Sequence, residues 1–182
     1  KRHIFMYSFD PEKRECKLWD RHPFDNANYM LNHDDKSFWL TRLGKELYYA
    51  DRANNFTNLS YVFSKIEEPN YKILTIARFK NSLWVGTSYG LLRINVSGNR
   101  YPHVYATEPG VTDLVNTSVR AMCELPGGNL IFAGYNGLFK ISNNLNDKRI
   151  TPLILDSIHN YIPYTMCYYK NKLWLGSEGG GI

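Results

Sequence analysis

The sequence predicts an all-β chain assembled from repeated four-stranded antiparallel units, and three observations carry that prediction. One phrase recurs along the chain: Leu83 to Asn95 reads LWVGTSYGLLRIN, Leu130 to Ser142 reads LIFAGYNGLFKIS and Leu173 to Ile182 reads LWLGSEGGGI. A degenerate fourth copy, FWLTRLGKELYYA, occupies Phe38 to Ala50, so the spacing is about 45 residues, the period of a stacked or radial repeat. Aromatic residues make up 15% of the chain and 14 of them are Tyr, a composition suited to half-buried strands. Short apolar runs alternate with clusters of Gly, Asn, Ser and Pro, the punctuation of tight turns rather than of helices.

Taken in chain order, Ile4 to Asp10, the turn Pro11-Glu12-Lys13-Arg14-Glu15 and Cys16 to Trp19 read as the third and fourth strands of a unit. The copy around Trp39 supplies the next unit. Lys72 to Phe79, Leu83 to Thr87, Leu91 to Asn95 and Tyr101 to Ala106 follow as four strands separated by Lys80-Asn81-Ser82, Tyr89-Gly90 and Val96 to Asn99. Val119 to Leu125, Leu130 to Gly134, Leu138 to Ser142 and Ile150 to Leu155 repeat the plan, with turns at Pro126 to Asn129, at Asn136-Gly137 and around Asn143 to Lys148. Thr165 to Tyr169 and Leu173 to Ser177 then match first and second strands. Four-stranded antiparallel units at this period are the blades of a β-propeller. The expected division is 1–24, an outer half-blade; 25–68, 69–106 and 107–155, whole blades; and 156–182, an inner half-blade. Two arrangements fit: the halves meet to close a small ring and remove exposed edges, or the chain is an incomplete segment of a larger propeller. The abrupt ends favour the segment.

Gly90, Gly137 and Gly180 fall just before third strands, where a tight connection calls for positive φ. Gly86 and Gly176 lie within second strands, where a missing side chain lets a neighbouring blade come close. Trp39, Trp84, Ile131 and Trp174 share the position two residues before Thr41, Gly86, Ala133 and Gly176, and their mid-strand phase makes them packing residues between blades rather than sugar-stacking platforms.

A net charge of +5 is spread along the chain with acids intermixed, which argues against a nucleic-acid face. Cys16, Cys123 and Cys167 have no CxxC or zinc-ligand spacing, so neither a disulfide framework nor a structural metal is expected. Met122-Cys123 and Met166-Cys167 hold matching repeat positions and read as small buried strand residues. No apolar run is long enough to span a bilayer, and Lys1-Arg2-His3 runs directly into strand sequence without a signal peptide.

The LWVGT core of Leu83 to Thr87, followed by GLLRIN, resembles the two-component regulator propeller repeat. Leu173 to Ser177 carries the same core, Gly137 to Ser142 carries the GL-F-K-I-S half, Tyr7 to Glu15 looks like the end of such a blade, and Asn116-Thr117-Ser118-Val119 resembles the usual lead into a first strand. The pattern weakens where Thr41 and Ala133 replace Gly and where Ile131 replaces Trp. The resemblance implies a periplasmic sensor region of a hybrid two-component system, of the kind found in gut bacteria that degrade polysaccharides. Two seven-bladed propellers and a β-sandwich there precede a transmembrane helix, a histidine kinase, a receiver and a DNA-binding region. It therefore implies an oligosaccharide ligand, no catalysis and no cofactor in this chain, a parent protein anchored in the inner membrane, and association with further blades or a second copy. No membrane contact by the segment itself is implied.

In a four-stranded blade, the turn between the second and third strands and the loop that reaches the next blade emerge on one face, the usual ligand side. The candidate ligand-binding residues on that face are Arg42, Tyr89, Tyr135, Asn136, Glu178, Tyr161 and Tyr164, with Asn54, Asn55, Tyr61, Glu67, Glu68, Tyr71, Asn116, His159 and Asn160 in or beside the longer loops. Tyr rings stack on sugars, and Asn, Glu and Arg hydrogen-bond hydroxyls, although the same residues populate loops of any strand-rich protein. A propeller lyase or glycosidase is the alternative, since similar repeats occur in streptogramin lyases, which open a cyclic ester with a His base and a metal ion. His3, His22, His33, His103 and His159 share no repeat position and read as surface or turn residues, without the convergence general-base catalysis requires. A protein-interaction scaffold is the third reading.

Overall fold

In each described four-stranded sheet the second strand is flanked on both sides by strands and is almost wholly buried. Leu83-Trp84-Val85-Gly86-Thr87 is wholly buried, as are Leu130 to Gly134. A computed structural model of the chain describes residues 3–34, 37–51, 53, 55–66, 68–95, 103–104, 117–135, 137–142, 150–153 and 162–178. They fall in two compact units, Lys1–Tyr61 and Val62–Ile182.

In the first unit, β1 (Ile4–Asp10) pairs antiparallel with β2 (Glu15–His22). The Asp10 carboxylate accepts the amides of Glu12 and Lys13 at 3.0 and 3.2 Å and so shapes the turn between them. A four-stranded meander follows, β3 (Ala27–Asp34), β4 (Ser37–Arg42), β5 (Glu46–Asp51) and β6 (Phe56–Asn58). Phe38, Leu40 and Ala50 form its core, with Ile4, Phe24, Tyr48 and Phe56 packed against them. The turn of this degenerate copy, Leu43 to Lys45, is one residue longer than the Ser88-Tyr89 turn of the next repeat. Arg42 faces Glu46 across it, and Leu43 and Gly44 both take positive φ, 53° and 66°. A 3-10 turn at Ser60–Lys65 was not legible in the strand pattern.

The second unit begins with β7 (Ile73–Phe79), β8 (Ser82–Thr87), β9 (Gly90–Asn95) and β10 (His103–Val104), a meander in that order. The next, β11 (Val119–Leu125), β12 (Asn129–Gly134), β13 (Gly137–Ile141) and β14 (Ile150–Leu153), has the same topology, and β15 (Pro163–Tyr169) pairs with β16 (Lys172–Ser177). Pro152 stands in β14, the last strand of its sheet, where a missing amide costs no ladder bond on the outer edge. Gly90 and Gly137 have φ of 119° and 128°, as their place before the third strand requires; Gly180 lies outside the described residues.

The β11–β14 sheet is covered on both faces. One face meets the β7–β10 sheet through Phe79, Trp84, Leu91, Val119, Leu130, Phe132, Phe139, Ile141 and Ile150. The other presents Ala121, Ala133 and Leu138 to Met166, Leu173 and Leu175 of the β15–β16 pair. Gly86 sits where two sheets come closest: a Cβ there would lie 2.6 Å from the Val119 carbonyl oxygen and 2.6 Å from the Thr75 methyl. The expected close approach of blades is therefore present at Gly86. At Gly176 the neighbour among the described residues is the methyl of Thr165, on its own partner strand, at 2.6 Å.

The buried reading holds for Trp39, Trp84 and Ile131, at 5%, 1% and 1% exposure, but Trp174 is 44% exposed. Strand alternation turns Trp174 away from the face of β16 that meets the β11–β14 sheet. Cys167 is exposed and Cys123 half-buried, so neither is the buried strand residue expected. The Cys123 thiol is pushed up chiefly by its partial burial. His22, expected at the surface, is fully buried with its ring 5.0 Å from that of Phe38. His33 lies among the rings of Trp39 and Tyr49.

Candidate functional site

One backbone bond recurs in three repeats and fixes the turns on which candidate residues sit. The amides of Leu43, Ser88 and Glu178 donate to the carbonyls of Asn26, Lys72 and Ile162 at 3.1, 2.9 and 3.3 Å. Each bond ties the residue after a second strand to the lead-in of the first, so both regions are held at the same end of the sheet.

A second recurrence is a β-bulge at the start of the first strand. Ile73 faces Thr87 but Thr75 faces Gly86; Val119 faces Gly134 but Ala121 faces Ala133; Pro163 faces Ser177 but Thr165 faces Gly176. Leu74, Arg120 and Tyr164 are the extra residues. A bulge leaves one residue out of the pairing and re-aims its side chain, and here it does so beside the turns that carry Tyr135 and Glu178.

Arg120, Tyr135, Tyr164 and Glu178 thus come together at one end of the β11–β14 and β15–β16 sheets. The Arg120 guanidinium carbon stands 4.4 Å from the centre of the Tyr164 ring, within cation–π range. The Tyr164 hydroxyl donates to Glu178 Oε2 at 2.8 Å. That hydrogen bond, above all, holds the Tyr164 phenol above its ordinary range. Partial desolvation and the nearby Glu178 and Tyr135 groups add to it, and the Arg120 charge opposes it. Tyr135 is 57% exposed beside them. Arg120 Nε is buried and no described residue hydrogen-bonds it.

The other candidates lie elsewhere. Tyr89, 39% exposed, is bonded to Glu68, whose charge is the first cause of its raised pKa; its amide donates to Thr87 Oγ1 at 3.1 Å. Arg42, in the first unit, is engaged by its own neighbours. It is hydrogen-bonded to Glu46, 3.7 Å from Asp25 Oδ1, and placed 5.7 and 5.3 Å from the ring centres of Phe24 and Tyr48. The Glu46 carboxyl is held below its usual range first by that hydrogen bond. Asn136 and Tyr161, with Asn54, Glu67, Asn116, His159 and Asn160, lie outside the described residues. Arg120 is the residue sequence reasoning missed. The signal was the column shared by Leu74, Arg120 and Tyr164, one residue after the apolar start of each first strand.

No protein-family model matches the chain, and no curated protein matches it. Solved structures do match. The extracellular domain of the hybrid two-component system BT4673 from B. thetaiotaomicron superposes with a TM-score of 0.64 at 17% identity, over 94% of this chain and 23% of that one. The chain is made of β-propeller blades. The extracellular domain of the hybrid two-component system BT3049 from the same organism gives 0.60 at 20% identity, over 96% and 22%. Virginiamycin B lyase from Staphylococcus aureus gives 0.61 at 17% identity, over 96% and 56%. The chain spans less than a quarter of the length of either two-component ectodomain.

Proposed function

We propose that this chain is an extracytoplasmic ligand-sensing propeller segment of a hybrid two-component signal-transduction protein, and that its ligand is an oligosaccharide released by polysaccharide breakdown. The observation that carries the reading is the likeness of nearly the whole chain to two extracellular domains of such systems, joined to the LWVGT and GLLRIN phrases. The cluster at the strand ends supports a sugar: an exposed Tyr135 ring, a Tyr164–Glu178 hydroxyl–carboxylate pair and the Arg120 guanidinium offer a flat apolar face beside polar groups that match hydroxyls. The segment acts with further blades or with a second copy, in a protein held at the inner membrane and facing the periplasm. Binding would bias the arrangement of a kinase carried elsewhere in the parent.

Calorimetric titration of the chain with a panel of plant and host-glycan oligosaccharides tests the reading. Saturable binding of one class is expected, and binding to peptides or proteins with no response to any glycan would replace it with the scaffold reading. The lyase likeness supports an enzyme as the second reading. Turnover of a cyclic depsipeptide ester by the chain, followed by mass spectrometry, would establish it; intact substrate after prolonged incubation is the expected result.

A further inference from the structure

The geometry points to Arg120 as the anion-recognising residue of the Tyr135–Tyr164–Glu178 cluster, and so to an acidic sugar, a uronate-containing oligosaccharide, as the ligand. The inference rests on the sugar-sensing reading above and narrows it.

Arg120 and Arg42 show what an arginine in this fold does with and without carboxylates. Arg42 has Glu46 and Asp25 on its guanidinium and two rings against it. Arg120 has a ring on one side, 4.4 Å away, and an Nε that is buried yet hydrogen-bonded by no described residue. A guanidinium is always charged, and no described carboxylate is paired with this one, so its charge is open to an acid supplied from outside the fold. Glu178 of the same cluster accepts the Tyr164 hydroxyl at 2.8 Å. The bulge that puts Arg120 out of register also frees it from the inward and outward alternation of β11.

The guanidinium is a planar fork that matches a carboxylate with two parallel hydrogen bonds, a geometry a neutral hydroxyl cannot reproduce. Next to it stands Tyr135, 57% exposed, whose ring can lie against the face of a pyranose. A ring face and a carboxylate set on one molecule describe a uronic acid residue. Tyr164, 42% exposed, is held in the same cluster by Arg120 and Glu178.

The test titrates the chain with oligosaccharides of galacturonate, glucuronate and mannuronate, each beside its methyl ester and a neutral oligosaccharide of the same linkage. One acid series should bind, its methyl ester should bind about tenfold to a hundredfold more weakly, and Arg120→Gln should impose a similar loss on the acid while leaving the ester unaffected. Affinity of the wild-type chain for the acid should fall as salt rises, a readout that needs no variant. Equal binding of acid and ester, or unchanged binding of the acid by a folded Arg120→Gln protein, overturns the inference. Binding of neutral oligosaccharides alone overturns it and leaves the sensor reading intact, whereas binding of no sugar removes both.

Discussion

Leu83 to Thr87 and Leu173 to Ser177 are nearly the same phrase, LWVGT and LWLGS, yet the two tryptophans meet opposite fates. Trp84 is 1% exposed in the core between the β7–β10 and β11–β14 sheets; Trp174 is 44% exposed on the face of β16 that no described sheet covers. The glycines differ in the same way. Gly86 lies under the Val119 carbonyl of the next sheet, whereas among the described residues Gly176 meets the tip of Thr165. The phrase specifies a second strand with a large residue pointing one way, and the neighbouring sheet decides whether that direction is core or surface.

The largest test of this contrast is truncation of the tryptophans. Trp84→Ala should cost about 3–5 kcal/mol of unfolding free energy, the usual loss for emptying a buried aromatic site, and Trp174→Ala about 1 kcal/mol, since much of its surface already meets solvent. Urea unfolding of the two variants measures both, and equal losses would break the comparison. Adding a methyl gives the next effect. Gly86→Ala should destabilise by about 2–3 kcal/mol because a backbone oxygen blocks the new Cβ, while at Gly176 a side-chain methyl can yield and the cost should stay below about 1 kcal/mol.

A smaller effect sharpens the comparison with a contact that is ionic rather than apolar. Arg42 holds the Glu46 carboxyl below its ordinary range, so near pH 4 the folded chain binds fewer protons at this site than the unfolded chain. The stabilisation is present above the ordinary Glu value of about 4.3 and is lost as pH falls below it toward the folded value. Glu46→Gln should therefore be less stable than the wild type by up to about 1 kcal/mol at neutral pH. The gap should close on acidification, as thermal melts from pH 7 to pH 3 would show. A gap that widens in acid would contradict the assignment.

Much of the fold was legible because strand phase and turn chemistry are local. The positive φ of Gly90 and Gly137, the four-stranded meanders and the burial of Trp39, Trp84 and Ile131 all follow from short windows of sequence. What was not legible depends on partners distant in sequence. Alternation gives the side on which Cys167 or Trp174 points but not what covers that side. His22 is buried because the ring of Phe38, in another sheet of its unit, lies against it. At the candidate site, Tyr135, Tyr164 and Glu178 could be named from their turns and loops, whereas Arg120 joins them through a bulge, a property of the register between two strands that only the column shared by Leu74, Arg120 and Tyr164 betrays in the sequence.

That bulge has a consequence for how such a repeat can change. A residue outside the ladder can be exchanged without altering the hydrogen bonds or the core on either side of it. Leu74, Arg120 and Tyr164 fill the same slot with an aliphatic, a cationic and an aromatic side chain. Each of these three first strands therefore carries one position whose side chain can vary while the pairing around it stays the same. An array of such blades can change the chemistry at this end of its sheets by single codon changes, one blade at a time.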